Sequence, residues 1–446
     1  MQMNLTTTTF TENQKKVETV TLPFHPDQDE ERDIINLYPQ MSYQEFLGFG
    51  GAFTESAGYV YAGMDQESRE LMLHDYFDEH EMHYILGRIH LDSCDFSCGH
   101  YEAMSDPKDV LMESFSIDHM EQYVFPLLDD AQKICGRPIE IMVSPWSPPS
   151  FMKTNSERDH GGKLKPEYHT FWAEYICRYI TLLRRRGLHV NRMTLQNEPN
   201  ASQPWDSCRY TAEEEKVFLR DFLYPAFIKY SLEDIEIFIW DHNKERAFER
   251  AETIIDAETD HMVKGIAFHW YSGDHFEALS MIREKYPDKI LAMSEACIEY
   301  YKYDKDDYLR NAQRYAHDMI GNMNHGMQLF YDWNLVLDEK GGPNHAGNLC
   351  DAPYLYDAKQ NQLIERNTLA YIRHFSHYIQ PGARRIGWTK YTADMELTAF
   401  QNPDGTLIVV LLNQEQTEKQ IRLRLNGMLA DIKAAPQSIA TGVILY

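Results

Sequence analysis

Between about residue 45 and residue 335, short apolar runs alternate with longer amphipathic stretches. Eight runs read as strands: 45–53 (EFLGFGGAF), 84–91 (YILGRIHL), 140–146 (EIMVSPW), 190–197 (VNRMTLQN), 235–241 (IEIFIWD), 265–271 (GIAFHWY), 289–295 (KILAMSE) and 326–333 (GMQLFYDW). Between them the period changes to that of helices, as at Lys165–Arg186 and Thr211–Tyr230. Thr211 followed by Glu214 is a capping-box signature and fixes the start of the second helix. Strands alternating with helices predict parallel β/α architecture, and eight units in about 290 residues match a closed (β/α)₈ barrel. An open doubly wound sheet is the structural rival. Against it, no strand runs into a Gly-x-Gly-x-x-Gly turn; Gly48-Phe49-Gly50-Gly51 is a different pattern.

The two ends follow another period. Residues 17–24 predict a strand, and after Pro381 the runs 406–413, 420–426 and 438–446 alternate, with Asn402-Pro403-Asp404-Gly405 as a hairpin turn. The expected organisation is therefore an N-terminal segment (1–44) contributing a strand to a β side domain, a barrel over 45–380, and a small all-β sandwich over 381–446. Thr6–Thr9 reads as a frayed start.

Composition narrows the partners. The formal charge of −26 repels nucleic acid phosphate and anionic membrane surfaces, whereas a neutral substrate meets no such penalty. No stretch reaches the roughly 18 apolar residues of a membrane span. The first twenty residues lack a basic head and apolar run, so no secretion signal is expected, and seven scattered cysteines fit reduced thiols in a cytoplasm. Cys94 and Cys98 are not accompanied by a second Cys/His pair at matching spacing, and His242, His269 and His345 are separated, so no metal or other cofactor is assigned.

A barrel carries its reactive groups at the C-terminal ends of its strands. Those ends present Arg88 and Asp95, Trp146, Asn197-Glu198, then Asp241-His242-Asn243, His269-Trp270-Tyr271, Glu295 and Asp332-Trp333-Asn334. Carboxylates, amides and flat rings together suit a sugar. A lyase or aldolase barrel would want a Schiff-base lysine or a metal set, and no lysine stands at these positions.

Here the chain resembles glycoside hydrolase family 30, the family that contains the glucosylceramidases. The resemblance runs in order over some 300 residues: 48–57 (GFGGAFTESA), 93–97 (SCDFS), 144–155 (SPWSPPSFMKTN), 195–199 (LQNEP), 268–271 (FHWY), 294–297 (SEAC), 332–335 (DWNL), 341–344 (GGPN) and 438–441 (SIAT). It implies a retaining β-glycosidase with Glu198 as acid/base and Glu295 as nucleophile. It also implies Arg88 as support for the nucleophile, and Asp95, Trp146, Asn197, Tyr271, Trp333 and Asn348 as substrate-binding residues. Asp92, and His345 after Pro343-Asn344, depart from the glucosylceramidase pattern; both stand near sugar-contacting positions in sequence, as Trp205 follows the acid/base strand.

The expected reaction is double displacement on a β-linked oligosaccharide or glycoside, with carboxyl groups about 5–5.5 Å apart. The expected alkaline limb belongs to Glu198, raised by its neighbour's charge. Exo action of the β-glucosidase, β-xylosidase or glucosylceramidase kind is expected. The alternatives are an endo-acting glucanase or xylanase, or a catalytically silent carbohydrate-binding barrel, against which both glutamates stand.

Overall fold

The computed structural model describes residues 1–11, 14–392 and 394–445. Eight parallel strands close into a barrel: β1 Gly48–Ala52, β2 Leu86–Leu91, β3 Glu140–Pro145, β4 His189–Thr194, β5 Glu236–Asn243, β6 Gly265–His269, β7 Ile290–Glu295 and β8 Met327–Asn334, with β8 pairing back onto β1. All eight expected runs are barrel strands. The glycines of the first have a packing reason. A Cβ on Gly50 would stand 2.0 Å from the Leu86 carbonyl oxygen, so only glycine lets β1 approach β2 this closely.

Inside the barrel an apolar layer of Leu86, Met142, Phe238, Ala267, Ala292 and Leu329 fills the lower half. Helices packed outside bury the opposite strand faces against residues such as Trp172, Ile176, Met319 and Ile372. The stretch expected as one helix over Thr211–Tyr230 begins at the expected capping box but is not continuous. A π-turn at Leu219–Leu223 separates Ala212–Phe218 from Tyr224–Tyr230. Pro225 explains the break, because it has no N–H and its ring crowds the carbonyl four residues back, at Asp221.

The second layer is a ten-stranded sheet drawn from both ends of the chain. Its C-terminal strands include Met395–Gln401 and Leu407–Asn413, joined by the expected turn at Asn402–Gly405. The N-terminal contribution is larger than expected: Gln2–Thr11, Gln14–Pro23 and Ile34–Glu45 are all strands. Thr6–Thr9 is not frayed. It lies in the strand Gln2–Thr11, between Gln14–Pro23 and the last strand, Ser438–Leu445. β-Branched threonine suits that position once a partner exists on each side. Tyr446 falls outside the described residues.

Alternation along this sheet serves two cores. Leu407, Val409 and Leu411 join Met3, Leu5, Ile35 and Ile421 in the core of the sandwich, while Ile408, Val410 and Leu412 pack onto the barrel. His374, on the helix Asn367–Ser376, sits in this seam and bonds Thr8 and Thr441 (both 2.8 Å). Among the described residues no helix is long and apolar enough to cross a membrane.

Candidate active site

Bulges set the aim of the side chains at the rim. Opposite Ala267 and Phe268 of β6 the register of β5 skips from Trp240 to His242, leaving Asp241 as the extra residue. Opposite Phe268 and His269 the register of β7 skips from Met293 to Glu295, leaving Ser294. Each skip lets two successive residues reach the interior. The two extra residues then meet, with Ser294 Oγ donating to Asp241 Oδ1 at 2.5 Å.

Arg88 on β2 is buried at the centre. Its Nη1 donates to Glu295 Oε2 (2.7 Å), its Nη2 to Asp241 Oδ2 (2.8 Å) and Asn197 Oδ1 (3.0 Å), and its Nε to Ser144 Oγ (3.1 Å). The guanidinium also lies over the rings of Trp146 (4.8 Å) and Trp333 (5.5 Å), which stack on each other at 5.5 Å and 21°. The other oxygen of Glu295 accepts from the Tyr271 hydroxyl at 2.9 Å. Glu295 is thus oriented through both oxygens, and each partner favours the carboxylate.

Glu198 follows β4. Pro199 disfavours the right-handed helical conformation for the residue before it, and Glu198 takes φ 46°, its N–H tied to the Asp241 carbonyl at 2.9 Å. Its Oε1 faces His269 Nδ1 at 3.2 Å and His242 Nε2 at 3.8 Å. One oxygen of Glu198 and one of Glu295 lie within 4.8 Å of each other, a close approach in keeping with the narrow carboxyl spacing of retaining enzymes.

His269 had no site role in the sequence reading, and the structure puts it between the two glutamates. Its Nε2 donates to Asp241 Oδ1 at 3.1 Å while its Nδ1 faces Glu198; with Glu198 ionised the imidazolium satisfies both contacts, and with the proton on Glu198 the neutral ring does. Burial opposes that charge, but Glu295, Asp241 and Glu198 outweigh it and push the imidazole up to about 9. For Asp241 burial is likewise overcome, by Arg88 and His269, which hold it well below the usual carboxylate range.

The same histidine corrects the expectation for Glu198. Burial favours its neutral form, yet His242 and His269 together hold the carboxyl below its ordinary value. The neighbouring His242 and His269, rather than the negative charge of Glu295, set this direction.

A cavity of about 610 Å³ opens above this cluster, lined among others by Asp95, Trp146, Asn197, Tyr271, Trp333 and Asn348. That volume is within the roughly 300–1,000 Å³ range of small-ligand sites. All the substrate-binding residues expected from the sequence therefore converge here with both glutamates, and Trp205 joins them. Asp95 Oδ2 accepts from Asn348 (3.1 Å) and Asn344 (3.3 Å) on the loop after β8. Burial and the Glu295 charge push its carboxyl up to about 7.

Asp92 and His345 do not line the cavity. Asp92 is buried, accepting from Tyr175 (2.7 Å) and the Ala103 N–H (2.8 Å). His345 Nε2 reaches the Cys94 carbonyl (2.9 Å) and Asp206 (3.2 Å), tying the loop that carries Asn344 and Asn348 to the loops after β2 and β4. With His100 and Asp206 it forms one of three His/carboxylate groups, among the described residues, whose ligand atoms lie within 4.8 Å, but its nitrogen is already committed to a carbonyl. All seven cysteines are free thiols.

An eight-stranded barrel with two closely spaced glutamates at the ends of β4 and β7 has the architecture of a retaining glycoside hydrolase. Residues 46–379 match the Glycosyl hydrolase family 30 TIM-barrel domain and residues 382–442 the Glycosyl hydrolase family 30 beta sandwich domain, and the chain belongs to that family. The crystal structure of SrfJ from Salmonella typhimurium is 36% identical, with a TM-score of 0.96 over 100% of both chains. The endo-beta1,6-glucanase BT3312 is 26% identical, with a TM-score of 0.87 over 99% of each chain. The lysosomal acid glucosylceramidase of Mus musculus is 29% identical over 402 residues, 86% of this chain and 78% of that protein. The chain is accordingly a glycosidase of a retaining family, acting on β-glycosides.

Proposed function

We propose that the chain is an exo-acting β-glycosidase, with β-glucosides as its first substrate class. Glu295 attacks the anomeric carbon, and the leaving oxygen takes from Glu198 the proton that this carboxyl shares with His269. The C–O bond breaks and a glycosyl ester forms on Glu295. Glu198, as the carboxylate, then takes a proton from the water that releases the sugar. Arg88 and Tyr271 orient the nucleophile. Asn197, held by Arg88 through its Oδ1, keeps its amide N–H₂ for the sugar's 2-hydroxyl. Trp333 and Trp146 supply the apolar floor, and Asp95 and Asn348 take outer hydroxyls.

The observation that carries exo action is the closure around Asp95. Its carboxyl is buried, bonded to two asparagines of the loop after β8, and that loop is itself tied down by His345. A wall held in this way favours a terminal sugar, whose outer hydroxyls would bond to it. The test is release of 4-nitrophenol from β-glucoside and β-xyloside, beside cleavage of polymeric β-1,6-glucan. Turnover of an aryl sugar, with single sugars released from oligosaccharides, is expected. Internal cleavage of the polymer with the aryl sugars inert would overturn exo action in favour of an endo-glucanase.

A further inference from the structure

Glu299 lies on the loop after β7, partly buried, and lines the cavity that holds the two catalytic carboxylates. The reaction described above has no use for it. Its Oε1 accepts from the Tyr301 hydroxyl at 2.6 Å, and Tyr301 is 75% exposed. Its Oε2 is buried without a hydrogen-bond partner among the described residues. Such an oxygen is costly to leave unsatisfied, and among the described residues Glu299 has no ion pair within 4.0 Å that would account for it as a structural carboxylate. Burial, opposed by Tyr301 and Lys302, pushes its carboxyl up, and Glu198 and Glu295 add to the rise, so Glu299 shares their electrostatic surroundings.

Across the mouth, on the loop that follows Glu198, Trp205 lines the same cavity, with Gln203 beside it and Asn243 after β5. Two aromatic rings on loops from opposite sides of the barrel, with a carboxylate and two amides between, suit a flat-faced ligand rich in hydroxyls. An alkyl chain laid there would bury Glu299 against hydrocarbon.

We propose that Glu299, Tyr301 and Trp205 form a leaving-group subsite that receives a second sugar unit, Glu299 accepting a hydroxyl of that unit. The natural substrates are then β-linked disaccharides and short oligosaccharides rather than glycolipids. This rests on the exo reading and adds the identity of the group that departs.

The test compares kcat/KM for β-linked glucose disaccharides with that for 4-nitrophenyl β-glucoside, in the wild type, Glu299→Ala, Glu299→Gln and Trp205→Ala. Removing a charge-assisted hydrogen bond should lower the disaccharide-to-aryl ratio about tenfold in Glu299→Ala, with a smaller fall in Glu299→Gln, which keeps the shape. Trp205→Ala should lower the same ratio. Equal losses on both substrates, or an unchanged ratio in both Glu299 variants, would overturn the proposal. So would a wild-type preference for octyl β-glucoside over every disaccharide. Failure of the exo reading shows separately, as wild-type silence on the aryl glucoside with polymer cleavage retained.

Discussion

His269 Nδ1 stands 3.2 Å from Glu198 Oε1, while the opposite nitrogen of the ring is anchored 3.1 Å from Asp241. A proton held between His269 and Glu198 is therefore held by a pair, and the pair's titration governs the supply of acid. With the imidazole pushed up to about 9, the pair keeps its proton well beyond the range of an isolated carboxyl. The alkaline limb of kcat/KM should reflect this, and His269→Asn should move that limb to lower pH. A pH profile of kcat/KM for both proteins decides it; an alkaline limb that stays in place would remove His269 from the acid function.

The two glutamates should separate by substrate. Glu295→Gln should abolish turnover of every β-glycoside with the fold intact by circular dichroism. Glu198→Gln should lower kcat/KM about 10²- to 10⁴-fold on methyl β-glucoside, whose leaving oxygen needs a proton, and less on the 4-nitrophenyl glycoside, whose leaving group needs little help. Equal losses on the two substrates would count against Glu198 as the acid.

Arg88 carries structure as well as chemistry. Arg88→Met leaves Asp241 and Glu295 without their shared cation, and the loss should be about 3–5 kcal/mol, as for breaking a buried ion pair. Urea unfolding measures it. Arg88→Lys should recover part of that stability but not turnover, since one ammonium cannot reach Glu295, Asp241, Asn197 and Ser144 at once.

The seam between the layers should respond to acid through His374. Burial, with smaller contributions from His377 and Arg373, holds this imidazole down at about 3, against 6.5 for an ordinary histidine. Between those values the unfolded chain takes up a proton that the folded chain refuses. Stability is therefore complete above pH 6.5 and falls as pH is lowered toward 3, by up to ~1.4 kcal/mol per pH unit from this group. His374→Gln should be less stable at pH 7.5 but show a shallower decline of Tm between pH 6.5 and 4. Parallel declines would mean that other groups set the acid response.

Much of the barrel and of its site was legible because each depends on local pattern. The eight apolar runs show their period within a few residues, and Glu198 and Glu295 end two of them inside distinctive motifs. What escaped depends on partners distant in sequence. Thr6–Thr9 has no apolar alternation, and its strand exists because residues near 440 lie beside it. Asp241 and His269 stood in the inventory of strand ends, but nothing local reports the bulges that aim Asp241 inward and set His269 between two carboxylates. The shift of Glu198 was misjudged for the same reason: its sign is set by two histidines 44 and 71 residues further along.

The sheet that unites the two ends of the chain also bears on synthesis. The strand Gln2–Thr11 leaves the ribosome more than 400 residues ahead of one of its two neighbours, Ser438–Leu445. Until then the early strand offers an open edge, rich in threonine rather than in large apolar residues, which keeps it a poor template for aggregation while it waits.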